Sequence, residues 1–77
     1  MRISDVVAEW DDEARVWVAS SDDIPGLITE AETREQLVTR LRTLVPELLR
    51  LNAHLMPHAD GREFCIHWKE EQRVAYA

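Results

Sequence analysis

Three features of this chain predict an α+β fold in the order β-β-β-α-β, a single helix laid across one face of a sheet. A Pro25-Gly26 turn separates two short apolar, partly β-branched runs, Val16 to Ala19 and Leu27 to Ala31. Immediately afterwards Thr33 opens a segment with leucines at three- and four-residue spacing, the period of an amphipathic helix. Near the far end, Phe64, Ile66 and Trp68 alternate with Cys65, His67 and Lys69, the period of a strand.

Each element has its own local reason. Over 2–10, Ile3, Val6, Val7, Ala8 and Trp10 fall among polar positions in rough alternation, which predicts a first strand. Asp11-Asp12-Glu13-Ala14 is a polar connection of hairpin length into a strand over 15–20. Val16 to Ala19 are apolar at successive positions, which suits a strand buried on both sides or covered by a partner. Asp23, Pro25 and Gly26 supply side-chain hydrogen bonding, a fixed φ and freedom for φ > 0. A third strand over 27–31 completes a meander.

The helix begins with a capping box: Thr33 accepts from the Gln36 N–H, and the Gln36 side chain reaches back. Leu37, Leu41, Leu44, Val45, Leu48 and Leu51 form its apolar stripe, widened by Val38 and Leu49. Pro46 removes the hydrogen bond to the Arg42 carbonyl, at a cost of about 3 kcal/mol. The stripe keeps its phase across Pro46, so the expectation is a kinked but continuous helix ending near Leu51 or Asn52. Residues 52–61 read as loop, with Asn52 as a C-terminal cap and Pro57, Asp60 and Gly61 as breakers. The final strand runs from Phe64 toward Val74. The strand before the helix and the strand after it could pair in parallel only through a crossover, which the helix is long enough to supply, with right-handed sense.

With 77 residues there is room for one domain, 1–77, which buries roughly 60% of the surface its unfolded chain exposes. One cysteine excludes an internal disulfide and a multi-thiolate metal cage. The first residues lack the apolar core of a signal peptide and no apolar run reaches membrane-spanning length, so a cytoplasmic protein is expected. Residues 1–35 carry ten acids against three arginines, whereas 36–77 carry five acids against six bases. A single lysine and no basic run argue against direct nucleic-acid binding. The acidic half serves solubility or steers a basic partner protein.

Candidate chemistry is sparse. A two-metal nuclease needs acids converging from the first strand and the helix. The strand offers Asp5 and Glu9, but Glu47 sits among exposed helix positions, so solvated carboxylates suffice and no enzyme is expected. His54, His58, Cys65 and His67 form a more tempting set, since Cys-x-His places two ligands on one strand face. Pro57 argues against a helix joining His54 to His58, and loop histidines with a half-buried Cys65 account for the set without a metal. No cofactor is expected. Trp10 and Trp17 read as core, because so small a domain needs their area, while Trp68 suits either core or an interface.

The succession strand, Asp23-Ile24-Pro25-Gly26-Leu27, strand, Thr33-x-x-Gln36-Leu37, helix resembles the core domain of HicB-type antitoxins. Val45 to Asn52, Val-Pro-Glu-Leu-Leu-x-Leu-Asn, resembles the helix end of small single-domain HicB relatives, and the likeness covers roughly 4–70. It implies a partial RNase H-like fold, a curved sheet with one helix, that forms a homodimer or higher oligomer. It further implies an antitoxin of a type II toxin–antitoxin system, occluding the active site of a small basic HicA-like mRNA interferase. Full HicB antitoxins carry a C-terminal DNA-binding segment; with the chain ending at Ala77, no operator binding by it alone is expected. The toxin-binding acids expected on this basis are Asp11, Asp12, Asp22, Asp23 and Glu30. The alternative is an orphan homo-oligomeric ligand-binding or regulatory module without a toxin.

Overall fold

A computed structural model describes residues 2–54 and 59–76, with the backbone alone described at 2 and 59–62. Its elements are β1 (Arg2–Asp11), β2 (Val16–Ser20), β3 (Ile28–Ala31), α1 (Arg34–Leu51) and β4 (Ala59–Lys69). The expected order β-β-β-α-β is found, in one four-stranded sheet ordered β3-β2-β1-β4. β1, β2 and β3 pair antiparallel in sequence, and β4 returns beside β1 in parallel. The two strands that flank the helix therefore lie at opposite edges of the sheet, and α1 carries the chain from one edge to the other.

Local chemistry sets each turn. In the first, the Asp11 carboxylate accepts from the Glu13 and Ala14 N–H groups, both at 3.1 Å, and the Arg15 N–H donates to the Asp11 carbonyl at 2.8 Å. Arg15 has φ 60°, so it belongs to this turn and not, as its sequence position suggests, to β2. In the second, Leu27 N–H donates to the Ile24 carbonyl at 3.2 Å, with Pro25 and Gly26 between them. Gly26 has φ 81°, the left-handed value that the third residue of a type II turn needs. Ile24 and Leu27 are both buried, so this turn also plugs one end of the core.

α1 starts with the Thr33 half of the expected capping box, the Thr33 hydroxyl accepting from the Gln36 N–H at 3.1 Å. It runs unbroken through Pro46 to a C-cap at Asn52. The Asn52 amide donates to the Leu48 carbonyl at 2.9 Å and to the Pro25 carbonyl at 3.3 Å, which ties the helix end to the second turn. The buried row is Leu37, Leu41, Val45 and Leu49, while Leu51 is 68% exposed. This corrects the expected stripe, in which Leu51 belongs to the core and Leu49 to its margin. Positions four apart drift by about 40°, so the buried row winds around the helix. By Leu49 that face has turned so far that Leu51, about 200° further round, points away.

Val6, Ala8, Trp17, Ala19 and Ala31 supply the sheet's buried side of the core, and Phe64, Ile66 and Trp68 pack against it partly buried. Where Ala8 and Ala19 sit opposite one another the sheet offers little bulk, so helix leucines, Val6, Ile24 and Leu27 supply it. Each fully buried Leu, Ile or Val contributes about 1.5–3 kcal/mol. Trp17 stands at 5.4 Å from Trp10 and at 5.1 Å, edge to face, from Trp68. The Arg34 guanidinium lies 4.7 Å from the Trp17 ring centre and 4.9 Å from that of Trp68, and it bonds Glu70 at 3.0 Å. Trp17 is thus core as expected, and Trp68 joins the same cluster.

β4 begins at Ala59, earlier than the alternation of Phe64, Ile66 and Trp68 predicts. Arg2 pairs with Ala59 and Ser4 with Phe64, so two steps on β1 face five on β4. That irregularity absorbs Asp60 and Gly61, residues that read as loop because they disfavour a regular ladder. β4 ends at Lys69, and 70–76 lie exposed beyond the sheet without the expected extension to Val74.

A methyl group on Gly26 meets only Leu48 Cδ2, at an ordinary 3.8 Å, so its dihedral and not space constrains this position. Gly26→Ala is expected to lower unfolding free energy by about 1 kcal/mol without disturbing the helix, measured by urea denaturation and far-UV circular dichroism.

Candidate functional site

The five acids expected to meet a partner do not form one patch. Asp11 and Asp12 lie at the β1–β2 turn and Asp22 and Asp23 at the opposite end of β2, a strand about 17 Å long. Three of them are engaged in local structure. Asp11 closes the first turn, as described above. Asp12 accepts from the Arg15 guanidinium at 2.8 Å and from the Trp10 indole N–H at 3.3 Å. Asp23, half-buried, accepts from the Asp5 N–H at 2.8 Å. Beside it the Ser21 hydroxyl donates to the Asp5 carbonyl and accepts from the Asp23 and Ile24 N–H groups at 3.0 and 3.2 Å. Ser21 and Asp23 thereby continue the hydrogen bonding of β1 where its ladder with β2, which reaches Val7 and Ser20, has ended. Asp22 is exposed beside them.

Glu30 is placed differently. It lies exposed on edge strand β3, opposite Val18, in a groove between β3 and the first turns of α1. Glu32 and Glu35 line the same groove, with Arg40 at its far side. Neither of these two glutamates stands out in the sequence, although the spacing of Glu30 and Glu32 and the first-turn position of Glu35 are visible there.

Among the described residues, the sheet face away from the helix is open. It carries Val7, Val16 and Val18 half-buried, with Ile3 46% and Ile28 72% exposed toward its margins. This is the structural reason that β2 reads as apolar on both faces: one face meets the core, and the other forms an uncovered apolar strip.

Beside the strip lie Asp5 on β1 and Cys65 and His67 on β4. Asp5 is the register partner of Cys65, and His67 follows two residues on, so all three side chains stand on the open face. His67 Nε2 is 2.9 Å from Asp5 Oδ1, and one donor atom from each of the three lies within 4.8 Å of the others. Of the tempting histidine–cysteine set, Cys65 and His67 thus share a face as their spacing predicts. Cys65 is exposed and not half-buried as expected, because Cys65 and His67 face away from the helix while Phe64, Ile66 and Trp68 face it. His54 lies exposed just past the helix, and His58 lies outside the described residues. Glu9 shares the open face with Asp5, whereas Glu47 is on the helix, which packs against the other face.

Over residues 4–76 the sequence matches the family described as Domain of unknown function (DUF1902). The chain belongs to this family. This DUF1902 chain is also similar to a solved structure, the crystal structure of hypothetical protein TTHA1013 from the extremely thermophilic bacterium Thermus thermophilus. The two are 40% identical with a TM-score of 0.72, over 97% of this chain and 100% of the other. Among curated proteins there is no match. No helix among the described residues of this DUF1902 protein is long and apolar enough to cross a membrane.

The two adjacent aspartates are expected to behave differently. Asp23→Ala leaves the Asp5 N–H without its acceptor and should cost about 1–2 kcal/mol in thermal or urea unfolding. Asp22→Ala should stay within about 0.5 kcal/mol of the parent.

Proposed function

We propose that this protein is a non-enzymatic, antitoxin-like binding protein of the HicB type that caps a small basic HicA-like mRNA interferase in the cytoplasm. In this reading the sheet and its crossover helix form a partial RNase H-like core. The observation that carries the reading is the acidic groove at the open β3 edge, where Glu30, Glu32 and Glu35 flank backbone with no strand beyond it. A row of carboxylates beside an unpaired edge attracts a cationic partner over distance and gives its backbone a place to dock. The order strand, Asp23-Ile24-Pro25-Gly26-Leu27 turn, strand, Thr33-capped helix, quoted above for its likeness to HicB cores, supports the same assignment.

Glu30 and Asp22 are exposed and suited to intermolecular contact, whereas Asp11 and Asp12, also exposed, and half-buried Asp23 contribute through the turns they fix. A second reading has its own observation. The apolar strip of Val7, Val16, Val18, Ile3 and Ile28 suits a homodimer contact, which both the antitoxin and an orphan homo-oligomeric module would use.

The test is co-expression with the small basic protein encoded beside this gene, scored by growth rescue and co-purification. Rescue with a stable complex is expected. Glu30→Lys combined with Glu32→Lys should then weaken association and flatten its salt dependence, measured by titration at several ionic strengths. Unchanged affinity and salt slope would remove the β3 edge from the interface. Folded protein that neither rescues nor co-purifies, yet sediments as an oligomer, would favour the orphan module.

A further inference from the structure

The geometry points to a metal site on the open face of the β1–β4 pair, in which Asp5, Cys65 and His67 bind a divalent transition metal of the zinc class. The three donors are a carboxylate oxygen, a thiolate sulfur and an imidazole nitrogen, each a good zinc ligand. Thiolate and imidazole together with only one carboxylate select against magnesium and calcium, which take oxygen ligands.

Distances agree with this assignment. Ligand lengths of about 2.0–2.3 Å put the donors of a tetrahedral zinc roughly 3.3–3.7 Å apart. Here the imidazole and carboxylate donors are 2.9 Å apart and all three atoms fall within 4.8 Å of one another. Small rotations of exposed side chains close the remaining difference. In the bound state the metal replaces the hydrogen bond between His67 Nε2 and Asp5 Oδ1, the neutral imidazole carries its one proton on Nδ1, and the Cys65 thiol releases its proton to solvent.

The scaffold is stiff where the ligands attach. Cys65 and His67 alternate on a paired stretch of β4, and the Asp5 backbone is held from the other side by Asp23 and Ser21. The side chains of His67 and Asp5 remain 52% and 61% exposed. Three ligands from the chain therefore leave at least one coordination position facing solvent, where water or a donor from another molecule completes the shell. This site does not rest on the acidic groove at β3 that carries the antitoxin reading; it adjoins the apolar strip on the β1–β4 side of the sheet.

Untagged, reduced protein titrated with Co2+ should bind one ion per chain, with a thiolate-to-cobalt charge-transfer band and four-coordinate d–d absorption, both erased by Zn2+. Losing an outer-shell partner alone costs a metal site about tenfold or more, so Cys65→Ser, His67→Gln and Asp5→Asn should each weaken Zn2+ binding at least that much. His54→Gln should bind like the parent. All three ligand variants alter exposed side chains, and a thermal melt of each checks the fold. Independently of any variant, bound Zn2+ should protect Cys65 of the parent from alkylation by iodoacetamide. Absence of the charge-transfer band overturns the site, as does loss of affinity confined to Cys65→Ser. One ion per two chains overturns it as well, since that places Cys65 in a contact between copies and not in a three-ligand site of one chain.

Discussion

Parallel pairing of β4 with β1 is the constraint on which the other parts depend. A hairpin cannot join parallel neighbours, so the segment between β3 and β4 must cross the sheet, and it does so as α1. That crossing lays the row Leu37, Leu41, Val45, Leu49 over Val6, Ala19 and Ala31 and makes a core from elements that have none alone. It also leaves the opposite face without a cover among the described residues. The same register sets Asp5 beside Cys65, so core, open face and candidate metal ligands share one cause.

The core is closed at both ends by different means. At the N-terminal end of α1, the Trp10–Trp17–Trp68 cluster is topped by Arg34, whose bond to Glu70 links the helix start to the chain after β4. At the other end, Ile24 and Leu27 fill the space beneath the helix and Asn52 fastens it to Pro25. The aromatic end draws on residues distant in sequence, and the aliphatic end on a compact turn. Such closure matters in a chain this short, where little surface is available to bury.

How far the sequence reveals this follows from the range of each interaction. The Thr33 cap, the Pro25-Gly26 turn and the alternation of β4 are legible because a few neighbouring residues determine them. Leu49 and Leu51 are misjudged when helix phase is held fixed, since a row repeating every four residues rotates as it goes. Ala59 to Gly61 read as loop because Asp60 and Gly61 oppose a regular ladder, and only their facing strand reveals that an irregular one accommodates them. Among the candidate acids, charge identifies the set but does not separate those that hold a turn (Asp11, Asp12, Asp23) from the others (Asp22, Glu30). Asp5 is invisible as a companion of Cys65 and His67, because only the register of β1 and β4 joins them.

The position of β1 has a consequence for how the chain assembles during synthesis. Of the four strands of this sheet β1 is made first and its neighbour β2 follows at once, but its other neighbour, β4, is made after the other three. Until β4 arrives, the nascent meander and helix expose one bare flank of β1 together with Trp10 and Trp17, still without Trp68. Contacts this distant in sequence form slowly, because a long loop must close before they give any return. A strand that ends in the interior of the sheet thus begins as an edge, and the interval before β4 docks is when the chain is most open to pairing with another strand.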